Sequence, residues 1–275
     1  MYEATVIADS MNSHGVRLTT LSLRYWRAIH AEVMTHRAFS RNAGSSRATP
    51  VKTMLKQVWS DPAGPLHWGV NQPGMQARAE LVGWRRAIAA GVWRLAAKAT
   101  CVFAWAMMKL GVHKQVANRL LEPFQYINVL VTATDWDNFF ELRDHPDAQP
   151  EIQHLAKAMQ QAMNQSFPAV LWPGAWHLPY ITSDDRKQYN SEDLVKLSTA
   201  RNARVSYMTF EGRKPNPKRD IALHDKLVGS RPIHANPAEH VARAMDNDMY
   251  VRNFRGFVQY RVYLEQDLEA AAAQE

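Results

Sequence analysis

The sequence predicts an α/β (α+β) fold in a single domain spanning residues 1–275. Three patterns predict it: alternating strands at the start, helical spacing through the middle, and a second extended run between helices. Ala4, Val6 and Ala8 alternate with polar neighbours, and RLTTLSLRY after Gly15 is rich in Thr, Leu and Tyr, which suit a half-buried pleated surface. From Ile29 the period changes. Ile29, Val33 and His36 fall on one helical face, which runs into a loop of small polar residues, RNAGSSRATP. DPAGPLHWGVNQPG, punctuated by Pro and Gly, reads as a connector, and Gln76 to about Arg119 as a long helical region. Glu122 to Val131 is extended by pattern, with Asp135 or Asp137 placed to cap a short helix carrying Asn138 and Arg143. In DAQPEIQHLAKAMQQAM, Asp147 is the expected N-cap and Pro150 lies in the first turn, while Ile152, Leu155, Ala156 and Met159 repeat at i, i+3, i+4 and i+7. FPAVLWPGAWHLPY reads as a Pro-rich connector, and about Leu194 to Asp267 as helix, polar loop and a C-terminal helix.

With 275 residues, 46% of them hydrophobic and 21% charged, the chain can bury one large core or two modest ones. Its net charge of +7 fits a phosphate-bearing ligand, and equally fits attraction to nucleic acid. MYEATVIADS lacks a basic start followed by an apolar run, so no secretory signal is expected. The longest apolar stretch, Ala99 to Met108, is about half of what a bilayer-spanning helix needs, so a buried amphipathic helix is expected there and no membrane partner. The single cysteine, Cys101, excludes an internal disulfide framework and implies a cytoplasmic location. It sits among apolar and aromatic neighbours with no His or Arg nearby to lower its pKa, which predicts burial rather than thiolate chemistry.

Three clusters carry chemistry. THRAFSRNAGSSRATP packs His36, Arg37, Ser40, Arg41, Asn42, Ser45, Ser46 and Arg47 together. Small residues around Gly44 let amides and hydroxyls approach an oxyanion, and Arg47 can grip a phosphate with two parallel hydrogen bonds. A solvated basic turn is the alternative. Arg119, Asn138 and Arg143 form the second cluster, suited to planar contacts with phosphate or a pyrimidine edge, or else to salt bridges. RNARVSY and HANPAEH form the third. His234, Glu239 and His240 lie close in sequence, but no further ligands at zinc spacing accompany them, and Glu32 with His36 at i, i+4 is a weak metal pair, so no metal is expected.

These residues resemble the flavin-dependent thymidylate synthases. The family hallmark RHRxxSxNxxSxR stands here as THRAFSRNAGSSR, Thr35 to Arg47, departing only at its first position. NRLLEP and FFELRDHPDAQPEI extend the resemblance. ARVSY (Ala203 to Tyr207) and HANPAEH (His234 to His240) are similar to segments that precede the hallmark in most of the family but follow it here, so the resemblance implies a circularly permuted, phage-type member. The signature half would be about residues 1–165 and the permuted flavin-contact half about 190–267.

The resemblance implies a mixed or antiparallel sheet with helices, assembled as a homotetramer with sites at subunit interfaces. It implies that His36, Arg37, Asn138, Ser206, His234, Asn236 and Glu239 contact FAD, some from a neighbouring subunit. Ser45, Ser46, Arg47 and Arg119 would hold the nucleotide phosphate and sugar, with Arg143 and Glu32 at the pyrimidine and Arg143 and His36 catalytic. Thr35, Ala43 and Ala48 stand where members carry Arg, Glu and Tyr, and Glu32 where many carry Gln. The implied reaction is dUMP to dTMP: 5,10-methylenetetrahydrofolate supplies the carbon, NADPH reduces the flavin, and no protein nucleophile attacks the ring. Glu32 keeps a dCMP methylase or hydroxymethylase for modified viral DNA as the alternative. A non-catalytic nucleic-acid binder is disfavoured, because the Arg and Ser residues gather in one loop rather than along an aromatic-interleaved stripe.

Overall fold

The computed structural model describes residues 2–207 and 216–272. β1 (Glu3–Asn12) and β2 (Arg17–Trp26) form a hairpin, followed by a short turn of helix, α1 (His30–Val33), then β3 (Ser40–Ala43), α2 (Val51–Ser60), α3 (Gly83–Lys109) and α4 (Lys114–Ala117). A 3-10 turn, Asn118–Phe124, leads into β4 (Tyr126–Ala133), α5 (Asp137–Arg143), α6 (Pro150–Asn164), β5 (Ala169–Leu171) and β6 (Trp176–His177). The remainder is α7 (Ser183–Gln188), α8 (Ser191–Tyr207), α9 (Pro217–Gly229), a 3-10 turn Asn236–His240, β7 (Ala242–Ala244), β8 (Tyr250–Val251), β9 (Phe254–Arg255), β10 (Phe257–Gln259) and α10 (Tyr260–Ala272).

The main sheet has the order β3-β4-β2-β1-β5. Its pairs are antiparallel except β1 with β5, which is parallel, so the sheet is mixed. β6, β7 and β10 make a small antiparallel sheet beside it. Because side chains alternate along a strand, β2 and β4 send Leu21, Leu23, Tyr25, Ile127, Val129 and Val131 to one face. There they meet Ile152, Leu155, Ala156 and Met159 of α6, the stripe that sequence spacing placed on one helical face.

The opposite face is polar and still buried. Thr20 and Thr132 lie on it, and an unpaired hydroxyl in such a place costs about 1–3 kcal/mol. Both are satisfied by a chain of contacts: Ser10 Oγ with His177 Nδ1 at 2.8 Å, His177 Nε2 with Thr20 Oγ1 at 2.8 Å, Thr20 with Thr132 at 2.7 Å, and Thr132 with His240 Nδ1 at 2.8 Å. Burial pushes both imidazoles down to about 3, so they are neutral donors and acceptors. The helices covering this side are fastened by charge as well. Arg201 of α8 binds Asp185 of α7 at 2.6 Å and Asp220 of α9 at 3.2 Å, both carboxylates being buried, and the Arg201 hydrogen bonds hold Asp185 well below the usual carboxylate range.

Several boundaries differ from the sequence pattern. The helix carrying Ile29 and Val33 stops at Val33, so His36 lies in the turn beyond it. The first three residues of the expected polar loop, Arg41–Ala43, belong to strand β3, because Ser40–Ala43 pair with β4. The long helix begins at Gly83 rather than Gln76 and ends at Lys109, where Gly111 takes a φ of +83°. Asp147 does not cap α6, whose N-cap is Gln149 with no side-chain bond. Glu122 belongs to the 3-10 turn, not to β4. The Pro-rich connector contains the short strands β5 and β6.

Cys101 is buried, and burial raises its thiol. The helix around it, however, is buried on one face only: Ala97, Cys101 and Ala104 pack on Met54, Val58, Leu121 and Phe124, whereas Val102, Phe103 and Trp105 are exposed. By length and composition α3 is also apolar enough to cross a membrane, which the shorter Ala99 to Met108 window did not suggest.

Candidate active site

β3 runs along β4 as far as Gly44, whose amide donates to the Asn128 carbonyl at 2.7 Å. A Cβ at Gly44 would stand 3.2 Å from that oxygen and 3.5 Å from the Val205 carbonyl of α8, so the strand end passes closely between β4 and α8. The chain then turns, with the Ala48 amide donating to the Ser45 carbonyl at 3.0 Å. Asn118 Nδ2 holds the Ser46 and Thr49 carbonyls at 2.7 and 2.9 Å, and Lys114 Nζ holds that of Ala48 at 3.0 Å. The loop is thus tied down by its backbone, and the Arg47 side chain is left exposed with no partner among the described residues.

A cavity of about 850 Å³ opens beside this loop. Arg41, Ser45 and Arg47 line one side, His113 and Gln115 come from beyond the end of α3, and His234 and Asn236 from the segment before β7. Met34, Ala43 and Ile233 supply apolar wall. The late segments are pinned to the early one by two asparagines: Asn42 Nδ2 donates to the Asn202 carbonyl at 2.8 Å, and Asn202 Nδ2 donates to the Pro237 carbonyl at 3.2 Å. His234 and Asn236 are therefore brought to the loop within one protomer, although about 190 residues of chain separate them.

Other expected residues gather elsewhere. Arg143 Nε donates to His36 Nε2 at 2.9 Å, its Nη2 reaches Thr35 Oγ1 at 3.4 Å, and its Nη1 lies 3.8 Å from the Glu32 carboxylate. Burial, then the Arg143 and Arg41 charges, lower the His36 pKa, and the ring is packed by Phe39 and edge-on by Phe139 at 4.8 Å. A neutral His36 accepts from Arg143 and aims its guanidinium. None of these four side chains lines the cavity, but Arg41 joins the two groups, lining the cavity while donating to the Met34 and His36 carbonyls.

Ser46 and Arg119 are engaged by Glu122. Ser46 Oγ donates to it at 2.7 Å, Arg119 at 2.8 Å, and Arg27 stands 3.3 Å away. Glu239 does not line the cavity either, being bound to Arg261. Asn138 and Arg37 are exposed, without side-chain partners among the described residues. Ser206 is in the last turn of α8, and its side chain lies outside the described residues. No group of three or more His, Cys, Asp or Glu that could hold a metal occurs among the described residues.

Of the lining residues, Arg41 belongs to the first sequence cluster, whereas His113 and Gln115 were not singled out from the sequence. Nothing in the linear pattern marks His113 or Gln115.

Residues 18–169, more than half of the chain, match the family of the thymidylate synthase complementing protein. The chain belongs to that family. It is accordingly an enzyme, a methyltransferase acting on a pyrimidine nucleotide. No protein of curated function matches the sequence. In fold the family member is similar to the UMP/dUMP methylase PolB from Streptomyces cacaoi, solved with 5-Br UMP, with a TM-score of 0.51 and 16% identity over 60% of this chain and 89% of that one. The thymidylate synthase ThyX from Helicobacter pylori, solved with FAD and dUMP, gives a TM-score of 0.37 and 20% identity over 53% and 67%. The family match ends at residue 169, short of ARVSY and HANPAEH; HANPAEH is tied to the signature segment through Asn202, which bonds both Asn42 and Pro237.

Proposed function

We propose that the cavity receives a pyrimidine deoxynucleotide monophosphate beside FAD, and that the chain converts dUMP to dTMP in the cytoplasm, with 5,10-methylenetetrahydrofolate as carbon donor and NADPH as reductant. The observation that carries the reading is the convergence of Arg47 and Ser45 with His234 and Asn236 on one cavity, within the range of about 300–1,000 Å³ usual for small-molecule sites. The residues fit the groups. Arg37 and Arg47, without partners among the described residues, offer guanidinium forks to phosphates, and Met34, Ala43 and Ile233 offer surface to a flat ring. When bound, the flavin supplies hydride.

The chain's own residues then bind and polarise. Arg47 grips the nucleotide phosphate, fixing the base. Arg143, aimed by neutral His36, opposes negative charge developing on the pyrimidine. Cys101, buried under α2, is far from being a nucleophile in character. Because Arg143, His36 and Glu32 lie outside the cavity, a homotetramer in which they complete a neighbouring protomer's site is part of this proposal. So is circular permutation, supported by the asparagine ties that seat HANPAEH on the signature loop.

Purified protein incubated with FAD, NADPH, the folate and either dUMP or dCMP, with products weighed by mass spectrometry, tests this. A gain of one methyl group on dUMP supports it. Turnover of dCMP alone assigns Glu32, 3.8 Å from Arg143, to an amino-bearing ring edge and overturns the choice of dUMP.

A further inference from the structure

α3 has two apolar faces on opposite sides. One is packed: Ala97, Cys101 and Ala104 lie against α2 and the 3-10 turn before β4. The other is open. Ile88, Val92, Leu95 and Val102 recur at i, i+4, i+7 and i+14, and Phe103 widens the stripe. Leu95 is 68% exposed and Phe103 66%, and Trp84 and Val82 continue the surface at the helix start. Among the described residues nothing covers it, and an open apolar stripe of this length marks a surface with a partner.

The charges decide which partner. α3 holds Arg85, Arg86, Arg94, Lys98 and Lys109 and no acidic residue. At 100° per residue, Lys98 and Lys109 fall along one edge of the open stripe and Arg85 along the other. Lys98 rests over the Trp59 ring at 5.4 Å and Lys109 over Trp105 at 5.6 Å, placing cations next to amphipathic aromatic rings. Pairing α3 with the same helix of a second copy would bring cation against cation with no carboxylate in either helix to offset it. A surface of anionic lipid headgroups meets both features: apolar side chains enter the acyl boundary while Lys and Arg reach sideways to phosphates. The packed inner face keeps the helix lying on the bilayer rather than crossing it.

We propose that the open face of α3 docks this protein on an anionic lipid bilayer, the helix axis parallel to the membrane.

Flotation of the full chain with phosphatidylcholine vesicles, and with vesicles that also contain phosphatidylglycerol, tests it. Partitioning should be at least about tenfold stronger onto the anionic vesicles and should fall steeply with salt. Leu95→Glu with Phe103→Glu should abolish it while leaving helicity and nucleotide turnover unchanged, since both side chains are exposed and neither lines the cavity. No flotation of the wild type with anionic vesicles overturns the proposal. So does sedimentation equilibrium showing an assembly that these substitutions dissolve, in a protein that ignores vesicles; that outcome assigns the stripe to a second copy.

Discussion

The two faces of the main sheet are both buried, yet they are held in different ways. Toward α6, Leu21, Leu23, Val129 and Val131 meet Ile152, Leu155 and Met159, and contact is non-directional. Toward α8 and the Asn236–His240 turn, Thr20, Thr132, Asn42 and two neutral histidines meet through hydrogen bonds of fixed geometry. The first face gives stability, and the second gives placement: it sets His234 and Asn236 against the loop of Arg47, where an apolar contact would allow sliding. The proposed site stands on the face that specifies position.

Substitutions separate the two. Leu155→Ala should destabilise most, by roughly 2–5 kcal/mol in chemical denaturation, because it opens a cavity in the apolar layer. Arg47→Ala should leave the denaturation midpoint unchanged and weaken nucleotide binding by roughly 2–3 kcal/mol in calorimetry, as expected for a lost charge-assisted pair. Normal binding by that variant would remove the phosphate from this loop. Thr132→Val should cost about 1–3 kcal/mol by stranding His240 Nδ1, and should lower flavin affinity more than Leu155→Ala does. Equal effects of the two on flavin affinity would erase the distinction between the faces.

The polar face should also respond to pH. Burial keeps His177 and His240 at about 3 in the folded protein, below the ordinary 6.5 of the unfolded chain. As pH falls below 6.5 the unfolded chain takes up protons that the folded one refuses. The contribution of these two residues is whole above 6.5 and is lost progressively toward 3. Thermal midpoints should therefore drop between pH 6.5 and 4.5, before carboxylates titrate, and a flat profile there would contradict neutral burial. Smallest of all, Arg119→Ala should cost under about 1 kcal/mol and change nucleotide affinity little, since its guanidinium is half exposed and bound to Glu122.

Much of this was legible in the residues. The alternation of Ala4, Val6 and Ala8, the stripe Ile152 to Met159, the buried Cys101 and the loop carrying Arg47 follow from local pattern, because side-chain period and backbone freedom are properties of neighbouring residues. Other features were decided by the fold. Ser46 and Arg119, expected at the nucleotide phosphate and sugar, are both held by Glu122 in the protomer, and Glu239, expected at the flavin, is held by Arg261. α3 read as buried because apolar composition does not say which side a neighbour covers. Sequence determined which surfaces are apolar and which groups need partners. Only the tertiary structure determined which partner each one found, because hydrogen bonds and ion pairs depend on distances between residues far apart along the chain.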